Sequence, residues 1–286
     1  MTVASRLAAL ALLCLAACAT GGAETPTAQK IDFDDGTFGT LSANDKGAGA
    51  APFSHVPDGA GGRAAAITVA RGDNPDRGAE DVTERAELAL PAFDGRRGET
   101  WFGFRVRAAP GFPQIDDRLV FAQLKHQIRE ARPSPLVALR IYDEGRRLKI
   151  GGQVGPDDKY GASFRLKNGR YVSRRSDDPR LTLAPEAGPP VVADRWTTYL
   201  IGAQSASDGS GWIEVWRDGA RLLRFDGATF DWPHARFKET VARIGPYRDA
   251  GPAPGHPPQT LIYDDVALAA TRADLEAAMG TKPPAL

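Results

Sequence analysis

The chain has 286 residues with 36 basic and 36 acidic side chains, so its formal net charge is zero. This balance excludes a strongly basic nucleic-acid-binding protein and a long acidic disordered tail. With 42% hydrophobic residues, the composition is that of an ordinary globular protein. The 31 glycines and 22 prolines favour many short strands joined by turns over a helical architecture.

The N-terminal segment has the pattern of an export signal. Residues 1–17 contain an apolar run that is too short to cross a bilayer as a helix, and the run ends in the sequence LAAC at Cys18. This ending resembles a bacterial lipobox, so we expect cleavage before Cys18 and lipidation of its thiol. Residues 18–30 then form a flexible tether. Ala19 resembles the outer-membrane sorting pattern, which predicts a lipid-anchored protein of the bacterial cell envelope, in the outer membrane.

Residues 31–270 contain a dozen strand-like runs bounded by Gly, Pro, Asp and Asn, with almost no helical pattern. Regular short strands without intervening helices predict an all-β domain, in which two antiparallel sheets pack as a jelly-roll sandwich. In residues 271–286, Thr271 as N-cap and Gly280 as stop predict a short C-terminal helix followed by a tail. The predicted strands are Ile31–Phe33, Ala65–Ala70, Glu84–Leu90, Trp101–Arg107, Leu119–His126, Leu136–Tyr142, Leu148–Gly151, Trp196–Gly202, Trp212–Arg217, Arg221–Phe225, Val241–Tyr247 and Leu261–Leu268.

Several of these strands alternate between apolar and polar residues. A period of two places the polar side chains of each strand on one face of the sheet, where neighbouring strands align them in rows. Such rows suit a polar substrate cleft, although the solvated face of an antiparallel sheet has the same alternation. The polar members of the rows are Arg85, Glu87, Gln123, Lys125, Arg243 and Tyr247.

Three segments occur in a fixed order along the chain: ERAEL at 84–88, FAQLKHQ at 121–127 and RIGPYR at 243–248. Together they resemble the R-x-E-L, Q-x-H or Q-x-K, and K-x-G-x-Y strands of the heparin-lyase-I-like and glucuronan-lyase group of polysaccharide lyases, which is related to the alginate lyases. The segments GWIEVWRDG at 211–219 and YDDV at 263–266 resemble a hairpin and the closing strand of concanavalin-A-like sandwiches. The resemblance implies a concanavalin-A-like jelly-roll lyase domain.

Two positions depart from the family pattern. Arg243 stands where the family more often has Lys, and the central strand reads Q-L-K-H, which displaces His126 by one position. Strict alternation turns His126 away from Gln123, whereas a β-bulge would bring it back. Either Lys125 or His126 therefore faces the cleft.

The resemblance implies β-elimination in a uronic-acid polysaccharide of the glucuronan, alginate or heparin type. A base removes the proton at C5, the bond from C4 to the glycosidic oxygen breaks, and negative charge accumulates on the sugar carboxylate, where fixed donors must stabilise it. Arg85 and Gln123 are the candidate donors. Tyr247 is the candidate acid, base or both, because neighbouring cations favour phenolate, and His126 is the alternative base. Further substrate contacts are expected from Lys125, Arg243, Arg248, Glu87 and Arg140.

Residues 118–180 carry 15 Lys or Arg and seven Asp or Glu, a local excess of eight positive charges. Such a field would concentrate a polyanion, although a solvated basic face has the same composition. No nucleic-acid motif is present and no protein partner can be inferred, so an acidic polysaccharide is the expected partner.

The predicted cleavage removes Cys14 and leaves one cysteine, and no two histidines have metal-ligand spacing with acidic partners, so we expect no cofactor and no catalytic metal. Only the adjacent Asp pairs offer ligands for a structural calcium. Two alternatives to a lyase remain: a non-catalytic carbohydrate-binding lipoprotein with the same sandwich, which would not need Tyr247, and a glycoside hydrolase of this fold. The hydrolase needs two carboxylates across the scissile bond, and the E-x-D-x-x-E strand typical of such hydrolases is missing.

Overall fold

The computed structural model describes residues 28–44, 51–73, 83–96, 98–174, 176–193, 195–250 and 255–280. The predicted signal segment, Cys18 and most of the predicted tether lie outside these residues. Within the described ranges, no helix is long and apolar enough to cross a membrane.

The described part of the chain is built almost entirely from strands, with a single short helix near its end. The strands are β1 (Gln29–Ile31), β2 (Ser42–Asn44), β3 (Phe53–Pro57), β4 (Arg63–Val69), β5 (Thr83–Arg85), β6 (Glu87–Ala89), β7 (Gly98–Ala108), β8 (Leu119–Ile128), β9 (Val137–Tyr142), β10 (Arg147–Gln153), β11 (Lys159–Lys167), β12 (Arg170–Ser173), β13 (Leu181–Leu183), β14 (Glu186–Ala187), β15 (Thr197–Ser205), β16 (Trp212–Arg217), β17 (Ala220–Asp226), β18 (Phe237–Asp249) and β19 (Gln259–Ala269). The helix α1 covers Arg272–Met279, and a 3-10 turn covers His234–Arg236.

The strands form two antiparallel sheets. Sheet A has nine strands in the order β13-β17-β16-β15-β7-β19-β4-β3, with β1 also paired to β19. Sheet B has ten strands in the order β14-β12-β11-β10-β9-β8-β18-β6-β2, with β5 also paired to β18. This arrangement confirms the predicted two-sheet sandwich.

The core lies between the two sheets, where the apolar residues of the alternating strands meet. Phe104 and Tyr199 of sheet A stack with ring centroids 5.7 Å apart, and Phe121 of sheet B lies 5.3 Å from Tyr199. The hydroxyl of Tyr263 donates to the carbonyl oxygen of Phe121 at 2.7 Å, which ties the last strand of sheet A to sheet B. Burying one such aromatic side chain contributes about 1.5–3 kcal/mol.

All twelve predicted strand regions contain or adjoin an observed strand, with shifted ends. The first strand begins at Gln29, inside the range predicted as tether, and ends at Ile31 because Phe33 adopts a left-handed φ of 64°. The predicted strand Glu84–Leu90 is divided into β5 and β6. Six observed strands have no counterpart among the predicted ones: β2, β3, β11, β12, β13 and β14.

The predicted C-terminal helix is confirmed in detail. The hydroxyl of Thr271 accepts a hydrogen bond from the backbone N–H of Asp274 at 3.1 Å, and Gly280 ends the helix with a left-handed φ of 61°. The helix packs on sheet A through Leu275 and Met279. It therefore lies on the opposite side of the sandwich from the outer face of sheet B.

Candidate active site

The three motif segments lie side by side in sheet B. In the strand register, Tyr247 of β18 is opposite Arg85 of β5, and Arg243 of β18 is opposite Gln123 of β8. The intervening residues of these strands, such as Ala86, belong to the core, so these four side chains face outward. Stretches that are far apart in the sequence thus form one polar surface, which we call the cleft: Arg85, Glu87, Gln123, Lys125, Arg243 and Tyr247.

Gly245 makes this convergence sterically feasible. Its φ is 121°, and a Cβ atom placed on it would lie 2.2 Å from the carbonyl oxygen of Ala86. The next residue, Pro246, accepts a hydrogen bond from the N–H of Ala86 at 2.9 Å at the junction of β5 and β6. The glycine of the R-I-G-P-Y segment is therefore required for close backbone approach beside Arg85 and Tyr247.

Glu87 is the centre of the hydrogen-bond network in the cleft. It is 1% exposed, accepts a hydrogen bond from the Gln123 amide, and lies 3.5 Å from Arg243 Nη1 and 3.9 Å from Arg85 Nη1. This burial corrects the prediction that Glu87 contacts the substrate, because its carboxylate is occupied by neighbouring side chains. Its position instead fixes two guanidinium groups and an amide relative to one another.

Tyr247 is half-buried between two arginines. The guanidinium carbon of Arg85 lies 4.3 Å from the centre of its ring, and that of Arg118 lies 5.1 Å away. Arg118 Nη2 donates to the phenol oxygen at 3.4 Å and to Asp249 at 2.5 Å. Burial raises the pKa of Asp249, while Arg118 acts in the opposite direction.

Arg118 was not among the residues predicted from the sequence. The residue precedes β8 in a short charged segment and belongs to no motif, so only the pairing of β8 with β18 shows that it reaches Tyr247.

The structure decides between Lys125 and His126. The irregularity in β8 falls between Val120 and Ala122, before Gln123, so alternation is regular from Gln123 onwards. Lys125 therefore shares the face of Gln123, and His126 points to the other side.

His126 lies in an aromatic cluster away from the cleft, which corrects the prediction that it is the alternative base. It is 2% exposed, its Nδ1 is 2.9 Å from the hydroxyl of Thr240, and its ring meets the edges of Phe230 and Phe237 at 5.3 and 5.7 Å. Burial lowers the pKa of His126 to about 4. The imidazole is thus a neutral core group, because a buried charge without a partner is costly.

Arg248 also lies away from the cleft, because it follows Tyr247 by one residue and points to the inner face. It is fully buried and binds Glu84 through Nε at 2.8 Å and Nη2 at 2.7 Å. Its Nη1 donates to Gln259 at 3.0 Å, which links sheet B to sheet A. This placement corrects the prediction that Arg248 binds substrate.

Arg140 lies on the same outward face, two strands away from Tyr247. In the register it is opposite Val120, which in turn is opposite Tyr247. Its Nη1 donates to the carbonyl oxygen of Gly151 at 3.1 Å, and burial lowers the pKa of its guanidinium. The predicted substrate-binding position of Arg140 is therefore at the side of the cleft.

Among the described residues, no group of three or more His, Cys, Asp or Glu side chains is placed to hold a metal ion. Several aspartates of the pairs that we considered for calcium form ion pairs with basic side chains. Asp264 is 3.1 Å from Arg105, Asp265 is 2.7 Å from Lys30, and Asp158 is 2.6 Å from Arg180.

Comparison with known proteins gives the class of protein. The family profile described as Polysaccharide lyase matches residues 36–267, which is most of the chain. The chain belongs to this family, and the protein is a polysaccharide lyase of the jelly-roll type. This result confirms the family and the enzyme class that the sequence motifs predicted.

A glucuronan lyase of known structure shares the fold. The endo-β-1,4-glucuronan lyase of the fungus Trichoderma reesei is similar over 86% of this chain and 97% of its own, with 17% identity and a TM-score of 0.57. An alginate lyase from Pseudomonas aeruginosa is similar over 77% of this chain and 86% of its own, with 16% identity and a TM-score of 0.48. The binding domain of a botulinum neurotoxin in complex with SialylT is similar over 88% of this chain and 50% of that one, with 8% identity and a TM-score of 0.50. A comparison with curated protein sequences finds no match.

Proposed function

We propose that this polysaccharide lyase cleaves a uronic-acid-containing polysaccharide by β-elimination in the cleft around Tyr247. One observation carries the proposal: Arg85, Gln123, Arg243 and Tyr247 occupy adjacent register positions on one outward face, with Arg118 against the phenol. A uronate carboxylate bound there would meet two guanidinium groups and an amide next to a phenol. Nothing about a neutral sugar would require this concentration of cations.

The cations stabilise the charge that develops during the reaction. Once the C5 proton leaves, the electron pair is delocalised into the adjacent carboxylate, which becomes more negative. Arg85 and Arg243 are held in place by Glu87, so little reorganisation is needed when the charge appears. The Gln123 amide has two N–H donors, and one of them binds Glu87.

Tyr247 performs both proton transfers in this mechanism. Its phenolate accepts the C5 proton, the C4–O bond breaks with formation of a C4–C5 double bond, and the phenol returns the proton to the leaving glycosidic oxygen. The buried position of His126 supports this assignment to a single group. One group acting at both atoms requires the C5 proton and the leaving oxygen to lie on the same face of the sugar ring.

A glycoside hydrolase is less consistent with the geometry. Glu84 and Glu87 are both almost fully buried and paired with arginines, so they are not placed as an acid and a nucleophile across a glycosidic bond.

The proposal is tested by incubating the protein with glucuronan, alginate and heparin and following ultraviolet absorbance from the new double bond. We expect absorbance to increase with at least one uronate, and Tyr247→Phe to reduce the rate by more than about 100-fold while binding is retained. Tyr142→Phe is the matched control: Tyr142 is a half-buried tyrosine of β9 packed under Arg147 at 4.6 Å, and this variant should keep full activity. Reducing ends without absorbance would disprove β-elimination, and an active Tyr247→Phe variant would remove Tyr247 from the mechanism.

We also propose that residues 1–17 are removed and that Cys18 carries the lipid that attaches the enzyme to the cell envelope. The lipobox-like ending at Cys18 supports this proposal.

A further inference from the structure

The outward face of sheet B extends past the cleft over β9, β10 and β11. Lys149 of β10 is opposite Arg140 of β9, so one row runs from Tyr247 through Val120 and Arg140 to Lys149. With neighbouring strands about 4.8 Å apart, the backbone of Arg140 lies about 10 Å from that of Tyr247, and Lys149 lies about 14 Å away. These distances suit the next sugars of a chain that crosses the strands.

Two paired glycines leave this part of the sheet without side chains of its own. Gly151 of β10 is opposite Gly161 of β11. The Arg140 guanidinium reaches over β10 to bind the carbonyl oxygen of Gly151 at 3.1 Å. Lys149 Cε lies 3.9 Å from the point that a Cβ atom on Gly161 would occupy. We call this surface, formed by Arg140, Lys149, Gly151 and Gly161, the cationic shelf.

The shelf differs electrostatically from the cleft. In the cleft, Arg85 and Arg243 share Glu87, and beside it Arg118 is paired with Asp249. In the described part of the chain, no carboxylate lies within 4.0 Å of the charged nitrogens of Arg140 or Lys149. Burial lowers the pKa of Lys149, and the neighbouring Arg140 and Arg147 act in the same direction. The shelf therefore concentrates like charges that an external anion would stabilise.

We propose that the cationic shelf binds the carboxylate of a second acidic sugar, on the same chain as the uronate held beside Tyr247. This inference rests on the proposed function and narrows it: the preferred substrate carries acidic groups on neighbouring sugars, as a contiguous polyuronate does. A polymer in which single uronates are separated by neutral sugars would leave the shelf empty and bind more weakly.

Binding measured without turnover tests the shelf separately from the chemistry. In a Tyr247→Phe background, Lys149→Ala should weaken retention on a polyuronate by about fivefold in affinity electrophoresis. The matched control Lys238→Ala removes an exposed lysine at the far end of β18, about 30 Å along the strand from Tyr247, and should leave retention unchanged. Equal retention of the two variants would contradict the proposal that the shelf binds a second carboxylate.

Kinetics supply the second measurement, and Gly161→Trp supplies a steric variant. A Cβ atom on Gly161 has no neighbour closer than 3.6 Å, so the fold should accept a larger residue, which an unchanged melting temperature would verify. Gly161→Trp should raise KM for a contiguous polyuronate about tenfold and leave KM unchanged for an oligosaccharide with one carboxylate. Similar KM changes for both substrates would contradict the proposal that the shelf binds a second carboxylate. Absence of turnover with every uronate in the unsubstituted enzyme would instead contradict the proposed function.

Discussion

At the scale of single residues, the side chains of the cleft divide into groups that face the substrate and groups that hold them. Glu87 and Asp249 belong to the second kind, because each pairs with the guanidinium groups that surround Tyr247. A carboxylate in a site for an anionic substrate would repel that substrate if it were free. Its pairing with arginine leaves the local field positive while it limits the conformations of the long side chains.

His126 gives a residue-scale prediction about pH. Its pKa is lowered from 6.5 to about 4 in the folded protein, so the unfolded chain binds more protons between these two values. The contribution of the neutral imidazole to stability is therefore present above pH 6.5 and is lost as the pH falls towards 4. At pH 5 the loss is about 2 kcal/mol.

Urea denaturation at pH 7 and pH 5 checks this prediction with His126→Gln, an uncharged replacement that keeps a polar group near Thr240. The variant should lose about 2 kcal/mol less than the parent on acidification. His234→Gln, at an exposed position in the 3-10 turn, is the control and should keep the parental pH dependence. A parental pH dependence in His126→Gln would show that His126 does not titrate as the buried geometry requires.

At the scale of strands, the cleft depends on the close approach of β18 to the junction of β5 and β6. Gly245→Ala introduces a Cβ atom that would lie 2.2 Å from the Ala86 carbonyl oxygen, in addition to the strain of a φ of 121°. We expect this substitution to lower stability by more than about 2 kcal/mol and to abolish activity, because Arg85 and Tyr247 separate.

The control for Gly245→Ala separates clash from backbone strain. Gly169 in the turn between β11 and β12 has a φ of 79°, and a Cβ atom there would meet nothing within 4 Å. Gly169→Ala should therefore cost only about 1 kcal/mol and leave the activity intact. Thermal unfolding and the absorbance assay compare the two variants, and equal effects would mean that close backbone approach is not what position 245 requires.

The strands that the sequence predicted and those that it missed differ in burial. The central strands β7, β8, β15, β18 and β19 have continuous or alternating apolar residues, so the sequence pattern was sufficient to predict them. The missed strands β11 and β12 contain several exposed residues, most of them polar, and β13 and β14 have only three and two residues. Such strands are specified by pairing with a neighbour, which local composition does not report.

The same distinction applies to the cleft. The period of two correctly grouped Arg85 with Glu87 and Gln123 with Lys125, because it depends only on position along a strand. The same alternation places His126 and Arg248 on the inward face. Both were nevertheless predicted as site residues, because they lie within the segments that resemble the lyase family. Arg118 was not predictable, because its contact with Tyr247 depends on the register between two strands.

At the scale of the whole molecule, the cleft and the N-terminal strand β1 lie on different sheets. The cleft and the cationic shelf occupy the outward face of sheet B, whereas β1 pairs with β19 in sheet A. The chain that precedes Gln29 therefore joins the domain at the sheet that does not carry the cleft. A lipid anchor upstream of β1 would leave the outward face of sheet B accessible to a polymer.

This arrangement gives a whole-molecule prediction about the proposed anchor. Cys18→Ser removes the thiol that would carry the lipid, so the variant should move from the membrane fraction to the soluble fraction of the producing cells. Its specific activity on short soluble uronates should match that of the parent, because the side chains that define the cleft lie between residues 85 and 247. Cys14→Ser, which alters the other cysteine within the predicted signal segment, is the matched control and should remain with the membrane. Cell fractionation with quantitative immunoblotting makes the comparison, and membrane retention of Cys18→Ser would rule out Cys18 as the point of attachment.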